Sequence, residues 1–178
     1  MTVKITFVSH STTLDNEAKR ASGWNDIPLS ELGKQQALEL KERQKNNHYD
    51  TIFTSDLIRA IKTAEIAFSG RNIPIITDPR LRECHYGDMT QYPNSEIEQI
   101  KLTHLRTPFP NGESYIQTNR RMKSFLDDIQ KTYQNRHILI VGHRATHYAL
   151  DFYLKHIPMK KLLTTKFVWQ PAFEYEME

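Results

Sequence analysis

Lys4-Ile5-Thr6-Phe7-Val8-Ser9-His10 is the stretch from which the fold is read. Ile5–Val8 is a β-branched and aromatic run, the pattern of a buried strand, and it stops at Ser9-His10. A second such run, His137–Val141, stops in the same way at Gly142-His143. Between the two, helical and strand spacings alternate. Ser30 is placed to cap a helix carrying Leu32, Ala37, Leu38 and Leu40 among charges and ending near Asn46-Asn47. Thr51–Thr54 reads as a short strand, with Ser55 as the cap of a helix to about Phe68. Ile73–Thr77 reads as a less central strand, because Pro74 cannot donate to a ladder. Ser95 with Glu98, and Ser114 with Gln117, match capping boxes at helix starts. The second of those helices should run to about Tyr133, and another should follow His143 to about Lys155. Phe167–Trp169 and Phe173–Met177 read as a hairpin or edge pair with Pro171 in the turn.

Strands alternating with helices predict a three-layer α/β/α fold with a mostly parallel central sheet, as one domain over residues 1–178. In such sheets ligands bind beyond the carboxyl ends of the strands. Two apolar strands delivering His10 and His143 there mark a candidate site. The helix after His143 would aim unpaired backbone N–H groups at the same mouth, which favours an anion.

Composition narrows the partners. Lysine and arginine total 24 against 21 acids, a formal net charge of +3 with no run of five or six like charges, so a nucleic-acid surface is not expected. The mild positive bias suits a small anionic substrate. No stretch approaches the ~20 apolar residues of a membrane span, and Met1–Val8 leads into no signal-peptide pattern. Cys84 is the only cysteine, which excludes an intrachain disulfide and fits the cytoplasm. No H-E-x-x-H spacing occurs, and neither metal nor cofactor is expected.

The ordered motifs resemble the histidine phosphatase (phosphoglycerate mutase-like) superfamily. Thr13 and Asn16 stand three and six residues after His10, as in that family. Gly23-Trp24-Asn25-Asp26-Ile27-Pro28-Leu29-Ser30, with Gly33, Gln36 and Ala37, is similar to the family's first-helix signature. Ser55-Asp56-Leu57-Ile58-Arg59-Ala60 resembles the segment that supplies a phosphate-binding arginine, and Leu81-Arg82-Glu83 the stretch with the general acid. Pro110-Asn111-Gly112-Glu113-Ser114 and Val141-Gly142-His143 complete the series.

The resemblance implies a phosphatase working through a phosphohistidine on His10, and elementary chemistry gives the same roles. A neutral imidazole attacks phosphorus. Arg59 would hold the equatorial oxygens, and His143, if protonated, would add a charged donor. Glu83 would protonate the leaving alkoxide and then deprotonate the attacking water. Asn16, Thr13, Ser9 and Arg144 are expected at the substrate. Tyr86, Tyr92 and Trp169 read as packing residues, Cys84 as a buried bystander and Ser114 as a cap only.

Two departures stand out. The family's arginine before the nucleophile is Ser9, and the glycine after it is Ser11. Arg144, where the family usually has a small residue, is placed to restore the missing guanidinium if the two histidine strands adjoin. The stretch from Tyr86 to Thr90 also lacks the family's acidic-glycine continuation. Two alternatives remain beside a small-molecule phosphatase. One is a catalytically weakened phosphate-binding module. The other is a protein phosphatase for phosphotyrosine or phosphohistidine.

Overall fold

The computed structural model describes residues 2–178; Met1, the first residue of the expected domain, lies outside them. Five strands, β1 (Val3–Ser9), β2 (Thr51–Thr54), β3 (Ile75–Thr77), β4 (His137–Gly142) and β5 (Phe173–Met177), form one sheet in the order β3-β2-β4-β1-β5. β1 to β4 run parallel, and β5 lies antiparallel to β1 at the edge. Among the described residues seven α-helices accompany them: α1 (Leu14–Glu17), α2 (Glu31–Gln44), α3 (Ile58–Ala67), α4 (Asn94–Ile100), α5 (Tyr115–Thr132), α6 (Arg144–Leu154) and α7 (Met159–Thr164).

The two helical layers follow from period-2 alternation along strands buried on both faces. Val8, Ile52, Leu139 and Val141 pack against Leu40 of α2 and Ala60, Ala64 and Ala67 of α3. Their neighbours Ile5, Phe7, Phe53, Ile138 and Ile140 face Met122, Phe125, Leu126 and Ile129 of α5 and Ala149 and Leu150 of α6. The three-layer α/β/α arrangement is as the sequence predicts. Among the described residues no helix is long and apolar enough to cross a membrane.

Three local expectations are corrected. Leu57, not Ser55, is the N-cap of α3 and has no side-chain cap bond; the Ser55 hydroxyl is turned to His143 instead. α4 begins at Asn94, with Pro93 at the N-cap position and no side-chain cap bond, so Ser95 lies inside the first turn rather than before it. In the tail only Phe173–Met177 is a strand, and it pairs with β1 rather than with Phe167–Trp169, which stay irregular. The box at Ser114 and Gln117 forms as expected.

Candidate active site

β1 and β4 are direct neighbours, with Ser9 opposite Gly142. The His10 N–H continues the ladder one step, donating to the Gly142 carbonyl at 2.9 Å. The two imidazoles therefore leave adjacent strands at the same level, with ring centroids 5.0 Å apart. His10 Nδ1 lies 2.8 Å from the Ser11 carbonyl oxygen, an acceptor only, so Nδ1 carries the proton and Nε2 keeps its lone pair. Burial, and next the charge of Arg59, lower the His10 pKa to about 3 against the pull of the Ser11 carbonyl. The ring is neutral at pH 7.

The loop after His10 is clasped by helices. Ser11 N–H donates to Thr63 Oγ1 (3.0 Å), and that hydroxyl donates to the Arg59 carbonyl (2.7 Å). Thr12 N–H donates to Gln36 Oε1 (3.0 Å), and its carbonyl accepts from Ser30 N–H (3.1 Å). Gly33 is required here: a Cβ at that position would fall 1.9 Å from the Thr12 carbonyl oxygen.

Arg59 is almost wholly buried. Nη1 donates to the Asn25 carbonyl (2.9 Å) and Nη2 to the Gly23 carbonyl (2.8 Å), which fixes the plane of the guanidinium. Gly23 turns its carbonyl that way at φ +49°, a left-handed conformation suited to glycine. His143 is equally buried, with Nε2 2.7 Å from Ser55 Oγ and Nδ1 without a hydrogen-bond partner. Burial first, then Arg59 and His10, push its pKa well below the ordinary value.

Glu83 meets the start of α6. Its Oε1 accepts from the Cys84 N–H (2.8 Å) and the Ala145 N–H (3.3 Å), so the helix N-terminus is occupied by a carboxyl group of the chain itself. The Glu83 carbonyl accepts from Trp24 Nε1 (2.7 Å) and Arg121 Nη2 (2.8 Å). Arg121 spends its other donors on the Arg80 and Arg82 carbonyls (2.7 Å each) and on Glu113 (2.9 and 3.0 Å). All five N–H groups of that guanidinium are thereby used to set the loop that carries Glu83.

His10, Arg59, Glu83 and His143 share the wall of one cavity of about 780 Å³, together with Ser9, Asn16 and Arg144. Thr13 stands behind that wall. It is fully buried, and its hydroxyl accepts from Asn16 N–H while its own N–H donates to Asn16 Oδ1, a capping box for α1. Arg144 opens α6 at the cavity mouth, where Nη1 donates to Glu98 Oε1 (2.9 Å) and Cζ lies 4.9 Å from the Phe167 ring. Among the described residues no group of three or more His, Cys, Asp or Glu is arranged to hold a metal ion.

Sequence reasoning missed Ser55, Thr63 and Arg121. Ser55 had a usable signal, since it directly follows β2, which neighbours β4, and so lies at the same end of the sheet as His143. Arg121 had none, being one of several cations on α5.

The model of the histidine phosphatase superfamily (branch 1) matches residues 5–172. "Uncharacterized phosphatase PhoE" of Bacillus subtilis is 33% identical over 82% of this chain and 74% of its own length. "Probable phosphoglycerate mutase GpmB" of Yersinia pestis is also 33% identical, over 79% and 69%. The structure of Bacillus stearothermophilus YhfR superposes with a TM-score of 0.84 at 30% identity, covering 99% of this chain and 91% of that one.

Proposed function

This chain belongs to the histidine phosphatase superfamily (branch 1), and on that premise we propose that it hydrolyses a small phosphomonoester through a phosphohistidine on His10. The observation that carries the proposal is the Nδ1–Ser11 carbonyl bond, which fixes the tautomer that leaves Nε2 nucleophilic. Nε2 attacks phosphorus as the ester P–O bond breaks, and Glu83 gives its proton to the departing alkoxide. Arg59 and His143 bear on the equatorial oxygens, where charge accumulates. The buried, unpartnered Nδ1 of His143 is supplied with an acceptor when a phosphate arrives, and the dianion favours protonation of that ring. In the second half-reaction water attacks the phosphohistidine, Glu83 takes the water's proton, the N–P bond breaks, and orthophosphate leaves.

All the electrophilic groups in this scheme are side chains, so it needs neither metal nor cofactor. Asn16 and Ser9, on the cavity wall, and Arg144, at its mouth, complete the substrate contacts. Arg144 takes the place of the family arginine that Ser9 replaces, exchanging Glu98 for a phosphoryl oxygen. The buried, unpaired Cys84 fits a cytoplasmic protein.

Ser9 also favours a second reading, a phosphate-binding module weakened in catalysis, since a serine does not replace a bidentate fork. Hydrolysis of an aryl phosphate in the presence of chelator separates the two. Turnover should persist under chelation, and His10→Ala should abolish it together with acid-labile phosphoryl labelling. Undiminished turnover in that variant overturns the nucleophile; phosphate binding without turnover by the wild type supports the module.

A further inference from the structure

The cavity is much larger than a phosphate needs. At about 780 Å³ it is in the range of sites that enclose a drug-sized molecule, so most of it is available to the alcohol half of an ester. One side of the mouth is closed by the irregular segment 165–172, which crosses from α7 to β5. Phe167 and Trp169 of this segment line the cavity, and Val168 between them is 70% exposed.

Trp169 is 58% exposed, although its indole presents more apolar area than any other side chain type. The sequence reads it as a packing residue; the fold leaves it at the rim of a cavity. Arg43 of α2 lies over its ring, with Cζ 5.8 Å from the centroid, and Arg144 lies over Phe167 at 4.9 Å. Each arginine is already balanced by a carboxylate, Glu39 for Arg43 and Glu98 for Arg144. The mouth therefore offers flat faces, two aromatic and two guanidinium, more than it offers net charge.

We propose that Trp169, Phe167 and Arg43 form a subsite for a flat ring on the alcohol half of the substrate. The preferred substrate is then a phosphomonoester of an alcohol bearing an aromatic or heteroaromatic ring, not of a compact polyol or hydroxy acid. This rests on the phosphatase reading for which end of the ligand is the phosphate. The ring subsite itself stands on the geometry of segment 165–172.

Phenethyl phosphate and cyclohexylethyl phosphate test it, because both are esters of primary alcohols and differ mainly in the flatness of the ring. A merely apolar mouth favours the cyclohexyl ester. The subsite predicts about a fivefold higher kcat/KM for the phenethyl ester, expressed in KM, in keeping with the worth of one ring–ring contact. Trp169→Ala should remove that preference, and Val168→Ala, beside it but outside the cavity, should keep it. Equal or reversed preference in the wild type, or a preference that survives Trp169→Ala, overturns the subsite. The matching phosphonates, which cannot be hydrolysed, separate the two readings by calorimetry. If neither ester turns over, the phosphatase reading fails. Tighter binding of the phenethyl phosphonate that is lost in Trp169→Ala then still sustains the subsite, and equal binding removes it.

Discussion

At the scale of single residues, Arg144 bears most on whether the site is fully armed. Its guanidinium is held by Glu98 and stacked on Phe167, so service at the phosphate requires exchange of one partner. If that exchange occurs, Arg144→Gly should lower the rate by ~10²–10³. Ser9→Arg alone should help little, and the double change should recover part of the loss. Strict additivity in this cycle would mean that the two positions do not share a phosphoryl group. Glu83 makes a separate prediction. Glu83→Gln should slow single-turnover phosphorylation by alkyl phosphates more than by aryl phosphates, whose leaving groups need less protonation. Equal losses across leaving groups would remove Glu83 as the acid. Both histidines were legible in the sequence because a strand end is a fixed place in an α/β sheet. Trp169 was misread because an apolar residue near a strand is normally buried, and sequence spacing does not show that segment 165–172 spans a cavity mouth.

At the scale of elements, the site depends on how α2 meets the loop after His10. The N-terminus of α2 touches Thr12 through Ser30 and Gln36 and approaches so closely that Gly33 has no room for a Cβ. Gly33→Ala must displace either the helix or Thr12, two residues from His10. The expected cost is about 1–3 kcal/mol of stability, typical of overpacking, with a loss of kcat. Urea unfolding and steady-state rates check it, and a variant unchanged in both would show that the contact yields cheaply. The motif around Gly33 was visible in the sequence; its reason, a backbone carbonyl at the helix face, was not. The caps at Ser55 and Ser95 failed for a related cause. A serine before an apolar run satisfies the capping pattern wherever it stands, and only the neighbouring strand shows that the Ser55 hydroxyl is taken by His143.

At the scale of the whole molecule, the half-buried His10 and the buried His143 tie stability to acidity. The folded pKa of His10 is lowered to about 3 and that of His143 well below its usual value, so below pH 6.5 the unfolded chain binds protons that the folded chain refuses. Their contribution is complete above the unfolded pKa and is lost as the pH falls, by roughly 2 kcal/mol between pH 7 and 5 for His10 alone. His10→Asn should therefore show a shallower decline in unfolding free energy over that interval than the wild type. Parallel slopes would mean that the imidazole is not kept neutral by the fold. The layered architecture was legible because alternation along buried strands is a global pattern, and the edge pairing of β5 was not, because its partner β1 lies more than 160 residues away in sequence. The pairing of β1 with β4 has a further consequence. The spacing of His10 and His143 comes from a backbone ladder ending in the His10 N–H to Gly142 carbonyl bond, whereas the mouth is built by segment 165–172, which joins no ladder. Reactive core and entrance are thus separable modules, and a different loop grafted between α7 and β5 should retune which esters are accepted while the two imidazoles keep their register.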